Sequence, residues 1–180
     1  ALHGSKLPLS GTGAMPDYTE TALAPWNVHA RDILTVEVGE GITHIGNFSF
    51  MNLEKLRAVR LANSVQTIGG FAFYNCTALE NIYLGNSVAE IGRNAFDRCR
   101  SLKSISLPGS LHTIRKEAFL RCESLLSVTI PASVTTMEAK VFTYCRNLRT
   151  ATILANIGEI PYWTFYGCYA LQSVSLSASI

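Results

Sequence analysis

Five cysteines are the residues of this chain best suited to chemistry, because a thiolate can act as a nucleophile or bind a metal. They lie 23 residues apart, at Cys76, Cys99, Cys122, Cys145 and Cys168. Leu53 precedes the first by the same interval, and a position that accepts either Leu or Cys is typical of an apolar core. Zinc sites use close pairs such as C-x2-C, and none occurs in the sequence. We therefore expect buried structural thiols, with pairing between adjacent repeats and metal binding as the alternatives.

The histidines offer no recognisable catalytic arrangement. They are His3, His29, His44 and His112. None lies in an H-E-x-x-H motif, and His44 and His112 fall where other repeats carry variable residues, so we expect both to be exposed. Gly11-Thr12-Gly13 lacks the third glycine of a dinucleotide site. The sequence therefore predicts a protein that is not an enzyme and that binds no cofactor and no metal. Hydrolase activity would need residues outside this sequence.

Composition narrows the class of protein further. The 180 residues are 48% hydrophobic and 16% charged, which favours a folded chain over a disordered one. Fifteen basic and 13 acidic residues leave a net charge of +2, so we expect no nucleic-acid partner. No apolar run is long enough to predict a transmembrane segment. Because the chain begins at Ala1 rather than Met, we expect that something upstream was removed.

A repeat of 23 residues organises residues 45 to 176 without insertion or deletion. Its phenylalanines are Phe50, Phe73, Phe96, Phe119, Phe142 and Phe165. Its leucines, six positions later, are Leu56, Leu79, Leu102, Leu125, Leu148 and Leu171. A fixed period of this length predicts a solenoid, in which each unit buries its apolar face only against its neighbours.

One unit, residues 79–102, shows how a coil should form. Ile82 and Leu84 alternate with polar residues as in a short strand, and turn residues follow. Phe96 and Cys99 come later at helical spacing, which predicts a short helix or 3₁₀ turn on the outer side. Because a single coil buries too little to fold alone, we expect coils to stack with their strands in a parallel sheet.

The repeated pattern I-G-x-x-x-F-x-x-C-x-x-L-x-x-I-x-L resembles the BspA-type leucine-rich repeat, a short bacterial class also called TpLRR. The strongest copy is FAFYNCTALENIYLGNSVAEIG, residues 71–92. Residues 7–18 and Pro25-Trp26 resemble the segment that often precedes such arrays. The sixth unit departs from the pattern, since Ala151 replaces a large strand residue and Leu154 stands where earlier units have proline.

The resemblance implies an α/β solenoid with its strands on the concave side. We expect a right-handed stack of about six 23-residue coils over residues 33–180, with short helical turns on the convex side. Residues 1–32 are expected to form an N-terminal capping segment, and a loose leader rich in Gly and Pro is the alternative. The resemblance also implies a secreted or cell-surface bacterial protein, or one of the periplasm, that attaches to host proteins, matrix or other cells.

Residues between the core positions of each strand should face outward on the concave side. This face is predicted to be small, hydroxylated and nearly uncharged, and Arg60 and Tyr83 are its only large side chains. The predicted partner-binding residues are Arg60, Asn81, Tyr83, Ser104, Ser106 and Thr129. The alternative is that Ser and Thr are simply soluble strand formers on an exposed sheet.

The sixth unit carries an aromatic cluster around Phe165. It consists of Tyr162, Trp163, Tyr166 and Tyr169. Trp163 shares its repeat position with Glu117 and Lys140, which indicates exposure. A local cap, an oligomer contact and a lost downstream segment are all consistent with this cluster.

Bases cluster on the predicted convex side, at Arg93, Arg98, Arg100 and Lys103. Such a cluster can indicate a nucleic-acid or heparin site. Glu117, Glu123 and Glu138 follow closely, however, and favour a solvated surface of mixed charge.

The sequence as a whole favours an exported or surface-exposed protein-interaction module that adheres to host or matrix proteins. The partner would be a host or matrix glycoprotein or another cell-surface protein. The alternative is a structural or spacer module of the cell envelope that self-associates as a homo-oligomer.

Overall fold

The computed structural model describes residues 3–177. Residues 1–2 of the predicted capping segment and residues 178–180 of the predicted solenoid lie outside this range. The described chain is a solenoid of about six stacked coils, built almost entirely from short strands and turns. Its strands in chain order are β1 (Lys6–Leu9), β2 (Gly13–Ala14), β3 (Thr35–Val38), β4 (Ile42–Ile45), β5 (Ala58–Arg60), β6 (Thr67–Ile68), β7 (Asn81–Tyr83), β8 (Glu90–Ile91), β9 (Thr113–Ile114), β10 (Ser127–Ile130), β11 (Thr136–Met137), β12 (Thr150–Ile153) and β13 (Ser173–Leu176).

Most coils contribute a strand to each of two different faces, and all the pairs between these strands are parallel. The first sheet, on the face predicted to be concave, has the order β1-β3-β5-β7 and resumes as β10-β12-β13. The second sheet has the order β11-β9-β8-β6-β4-β2. Residues 23 apart pair with each other, as Ile68 does with Ile91, so side chains in equivalent positions stack in columns. The sequence did not predict this second sheet, because the residues that form it were expected to be only a short extended piece before the outer turn.

The predicted helical turns are absent from the third side of each coil, which we call the turn side. The one helical segment of residues 3–177 is the 3₁₀ turn Pro25–His29. On the turn side of the second coil, Phe71 and Asn75 have left-handed φ values of 57° and 59°, which interrupt any helix. The same pair of left-handed residues recurs as Phe48 and Asn52, Asn94 and Arg98, Glu117 and Arg121, Lys140 and Tyr144, and Trp163 and Gly167.

Hydrogen bonds explain why this segment is not helical. The N–H groups of Phe71, Phe73 and Asn75 each donate to a carbonyl of the next coil at 2.8 Å. The intervening Tyr74 N–H donates locally to Phe71 O at 3.1 Å. Because every second N–H points along the solenoid axis, the backbone cannot also form the i→i−4 bonds of an α-helix. Helical spacing of Phe and Cys in the sequence fits this alternating turn equally well.

A column of stacked phenylalanine rings forms the centre of the core. From Phe50 to Phe165, successive ring centroids lie 5.1 to 6.0 Å apart with planes within 18° of parallel. Phe50 to Phe142 are completely buried, and Phe165 at the end of the column is only partly buried. Parallel stacking of identical rings requires the coils to keep one constant spacing along this column.

The cysteines lie beside that column, and all five are buried and free. Each thiol donates to the backbone carbonyl of a phenylalanine in the preceding coil, at 3.1 to 3.2 Å. In the first unit Leu53, which is also fully buried, occupies this position. Burial raises the pKa of every thiol, to about 11 for Cys168 and well above the ordinary range for the other four, so the sulfur is protonated at neutral pH. The sequence predicted the buried thiols but not their hydrogen bonds.

The N-terminal residues cover the open side of the first coil. Strand β1 pairs with β3 and buries Leu7, and β2 pairs with β4. Trp26 stacks on Phe50 at 5.7 Å, and its indole N–H donates to Ser49 O at 2.8 Å. The phenylalanine column therefore ends on a tryptophan whose polar atom is satisfied. These contacts support a capping role for residues 1–32, and we retain that role as a proposal.

One carboxylate is buried on the turn side. Asp97 is 4% exposed, and only its Oδ2 has a hydrogen bond, from Asn94 Nδ2 at 3.0 Å. Burial raises the pKa of Asp97 to about 6, although the Asn94 hydrogen bond and the charges of Arg98 and Arg121 act in the opposite direction. Asp97 thus carries an incompletely compensated charge at neutral pH.

The core register is tested by two adjacent leucines. Leu125 is fully buried, whereas Leu126 is 46% exposed. Leu125→Ala should lower the free energy of unfolding by about 2–5 kcal/mol, because it leaves a cavity in the middle of the stack. Leu126→Ala is the matched control and should change it by less than about 0.5 kcal/mol. Urea denaturation of both variants checks this, and equal effects would contradict the register.

Asp97 should make stability depend on pH. The pKa of Asp97 in the folded protein is about 6, above the ordinary value of about 3.9. The neutral carboxyl therefore contributes to the stability of the folded state below pH ~4, and this stability is lost as the pH rises through 6. Asp97→Asn should therefore stabilise the protein by about 1–3 kcal/mol at pH 7.5 and have little effect at pH 4. Melting curves across this range measure the difference, with Asp32→Asn at an exposed position as the control. A variant that is less stable at pH 7.5 would show that the charged form is well accommodated.

Candidate functional site

The outer face of the first sheet presents the predicted binding residues. In β10 the alternation of the strand turns Ser127 and Thr129 outward and buries Val128 and Ile130. The same alternation applies to the neighbouring coils. All six predicted residues are exposed: Arg60, Asn81, Tyr83, Ser104, Ser106 and Thr129. Their outward orientation follows the prediction, and their role in binding stays a prediction.

Arg60 and Tyr83 form one preorganised unit on this face. Parallel pairing of β5 with β7 places them in register, and the guanidinium carbon of Arg60 lies 4.8 Å from the centre of the Tyr83 ring. The Tyr83 hydroxyl lies 3.4 Å from Asn63 Oδ1. An exposed cation–π contact contributes about 0.5–1 kcal/mol, which restricts the rotamers of both side chains. The two largest side chains of the face therefore meet a partner in a defined arrangement.

The first sheet is interrupted directly beside this unit. Residues 104–107 of the fourth coil belong to no strand, and within the described chain their backbone makes no hydrogen bond. The interruption is local, because β8 and β9 pair through the same coils and the rings of Phe96 and Phe119 remain stacked at 5.3 Å. Backbone donors and acceptors that other coils use for pairing are thus available here to water or to a partner.

A shallow hollow of about 310 Å³ adjoins the interruption. Its lining residues are Ser104, Ile105, Ser106, Leu107, Ser127, Val128 and Thr129. The structure therefore brings Ser104, Ser106 and Thr129 together around one depression, and Arg60, Asn81 and Tyr83 lie on the adjacent strands β5 and β7. The sequence did not indicate the interruption, since residues 104–107 alternate in the same way as β10, which does pair.

The C-terminal aromatic cluster is a second exposed surface. The exposed fractions are 63% for Tyr162, 57% for Trp163, 52% for Tyr166 and 77% for Tyr169. The rings of Trp163 and Tyr166 stack at 5.2 Å, and Tyr162 packs edge-on against Trp163 at 6.4 Å. Strand β13 beside them exposes Val174 and Leu176.

The repeat position of Trp163 is not exposed in the way the sequence indicated. Its repeat position is not generally exposed, because Asn94 is buried and the side chains of Glu117 and Lys140 are 16% and 25% exposed. These residues form a row in which Asn94 contacts Glu117 at 3.3 Å, Glu117 contacts Lys140 at 3.6 Å, and the Lys140 ammonium lies 4.8 Å from the Trp163 ring. Trp163 is exposed because it is the last member of this row in the described chain.

The histidines agree with the sequence only in part. His112 is exposed, but His44 is half-buried between Thr67, which its Nδ1 contacts, and Asp17, at 3.5 Å from its Nε2. No group of three or more His, Cys, Asp or Glu side chains within residues 3–177 is arranged to hold a metal ion. None of the helices described for this chain has the length and apolar character to cross a membrane.

Comparison with solved structures gives similar bacterial solenoids. A leucine-rich repeat protein from Bacteroides ovatus is 32% identical, with a TM-score of 0.68 over 78% of this chain and 39% of its own. A leucine rich cell surface protein from Faecalibacterium prausnitzii is 30% identical, with a TM-score of 0.61 over 81% of this chain and 32% of its own. This chain thus spans only about a third of the length of each.

The T. pallidum leucine rich repeat protein is 25% identical, with a TM-score of 0.72 over 89% of this chain and 83% of its own. Comparison with curated proteins gave no match. The model of the BspA type leucine rich repeat region matches residues 30–149 in six copies. The chain therefore belongs to the BspA type leucine-rich repeat family.

Proposed function

We propose that this chain is an exported adhesion module that binds a protein through the outer face of its first sheet. The partner is a host or matrix glycoprotein or another cell-surface protein. The observation that carries the proposal is the interruption of the first sheet at residues 104–107, beside the preorganised pair Arg60 and Tyr83.

The chemistry of this face suits an extended segment of a partner protein. The unpaired backbone groups of residues 104–107 offer donors and acceptors that match those of a peptide, as in other cases where main-chain bonds supply affinity. Ser104, Ser106 and Thr129 add hydroxyls that both donate and accept. Tyr83 and Arg60 are of the residue types enriched where binding energy is concentrated. The hollow is shallow and polar, which favours a surface contact over an enclosed small-molecule site.

A location on the bacterial surface or outside the cell fits this function. One similar structure is described as a cell surface protein, and other members of the comparison are also bacterial. We also propose that the chain has no catalytic role, because its five thiols are buried and protonated at neutral pH.

A structural role through self-association is the second candidate. It is favoured by the four exposed aromatic residues of the sixth unit and by the exposed edge of β13. Two copies could bury these rings against each other, and the module would then act as a spacer or scaffold in the cell envelope.

The adhesive proposal is tested by binding of the purified chain to immobilised matrix glycoproteins. Tyr83→Ala and Ser106→Arg should each weaken saturable binding roughly tenfold or more, because the first removes the aromatic anchor and the second fills the hollow. Tyr162→Ala removes an even more exposed tyrosine outside this face and should leave binding unchanged.

The same preparations separate the two candidate functions. Binding that is indifferent to Tyr83→Ala and Ser106→Arg would contradict the site. Absence of binding, together with a discrete oligomer in sedimentation that dissociates in Trp163→Ser, would replace adhesion by the structural role.

A further inference from the structure

Arginines gather on the turn side of the third to fifth coils. We define the turn-side patch as Arg98, Arg100, Arg121, Arg146, Tyr144 and Tyr169. Arg98 and Arg121 occupy the same repeat position in adjacent coils, and Arg100 and Arg146 share another position two coils apart. Stacking therefore places these four side chains, from distant parts of the sequence, along one stretch of the solenoid surface.

The acids expected to neutralise these bases mostly lie elsewhere. Glu117 contacts Asn94 and Lys140. Glu138 accepts from the Arg115 guanidinium at 3.1 Å and from the Lys116 N–H at 2.7 Å. Neither acid belongs to the turn-side patch. The expected mixed charge is found at Arg93, which lies 4.0 Å from Glu117, whereas the turn-side patch keeps more bases than acids.

Glu123 is the one acid that lies within the turn-side patch among the described residues. Its Oε1 is 3.6 Å from Arg100 Nε. Asp97 also lies near Arg98 and Arg121, but it is buried beneath them. Arg146 is exposed and makes no ion pair with the described residues. The accessible surface of the patch consequently has a clear excess of positive charge.

The tyrosines hold the arginines beside an open hollow. The Arg121 guanidinium lies 5.7 Å from the Tyr144 ring centre. Arg98 lies 5.4 Å from the ring of Tyr74 in the coil before. A hollow of about 370 Å³ is bordered by Arg100, Arg121, Glu123, Tyr144, Arg146 and Tyr169. Its walls combine guanidinium groups, which bind oxyanions in a bidentate manner, with aromatic rings that present apolar faces.

We propose that the turn-side patch binds a sulfated polysaccharide that lies along the solenoid axis. Equivalent arginines are separated by multiples of the coil spacing, which is 5.3 Å between the rings of Phe96 and Phe119. Arg100 and Arg146 are two such intervals apart, so a linear chain with regularly placed sulfates can engage both. Tyr144 and Tyr169 can pack against the apolar faces of its sugar rings.

A nucleic acid fits this patch less well. The complete chain has a net charge of only +2, which gives no extended positive field to hold a long phosphate backbone. The positive charge is instead confined to one hollow. The patch also differs from the first sheet in position and chemistry, so this inference is independent of the protein-binding proposal.

The test measures binding of a heparin-derived octasaccharide to the intact chain by titration calorimetry. Arg100→Gln combined with Arg146→Gln should raise the Kd at least tenfold, because two guanidinium–sulfate contacts are lost. Glu123→Gln should lower the Kd severalfold by removing the one competing acid. Arg31→Gln combined with Arg57→Gln removes the same charge from exposed positions outside the patch and should change the Kd less than twofold.

Two further ligands define the specificity. The desulfated octasaccharide and single-stranded DNA of matched charge should both bind at least tenfold more weakly than the sulfated form. Loss of affinity in the Arg31 and Arg57 variant equal to that in the patch variant would overturn the site. Equal affinity for DNA would overturn the assignment to a polysaccharide, and no binding of the sulfated octasaccharide would overturn both. Unchanged melting temperatures of the variants exclude unfolding as the cause.

Discussion

Hydrogen bonding between successive coils is the constraint on which this structure depends. On both sheets and on the turn side, many backbone N–H groups find their acceptors one coil away, so no coil satisfies all of its own polar groups. The close approach leaves little space: a Cβ on Gly92 would lie 2.6 Å from the carbonyl carbon of Gly69. A repeat of constant length follows, because any insertion would move one side of the coil out of register with its neighbours.

Constant spacing also governs the side chains. Phenylalanine stacks on phenylalanine and thiol follows thiol, since each column must accept one shape at one interval. Partly buried positions can vary only if adjacent members compensate each other, as Glu117 and Lys140 do. Functional variation is therefore concentrated at exposed positions, where the solenoid turns residues that are distant in sequence into continuous rows. The first sheet and the turn-side patch are two such rows, one hydroxylated and one basic.

The features that repeat along the chain could be predicted from the sequence. The features that depend on the local path of the backbone or on the orientation of single side chains could not. The core positions, the buried cysteines and the outward direction of Tyr83 and Ser106 followed from period and alternation. The prediction of a helix on the turn side was wrong because a three-residue spacing suits both a helix and a series of turns interrupted by left-handed residues such as Asn75. Residues 104–107 carry an ordinary strand pattern and yet do not pair, and nothing in their composition distinguishes them. The partners of the Glu117 and Glu138 side chains depend on where each residue lies in its turn. A count of charges along the sequence cannot show this.

Residue-resolved amide hydrogen exchange tests the inter-coil bonding most directly. The N–H groups of Phe96 and Phe119 cross to the next coil in the middle of the stack, so they should exchange only when the whole solenoid opens. The N–H groups of Ser104 and Ser106, which have no partner, should exchange near the rate of an unstructured peptide. Rapid exchange at Phe96 and Phe119, or equal protection of Ser104 and Ser106, would contradict the account.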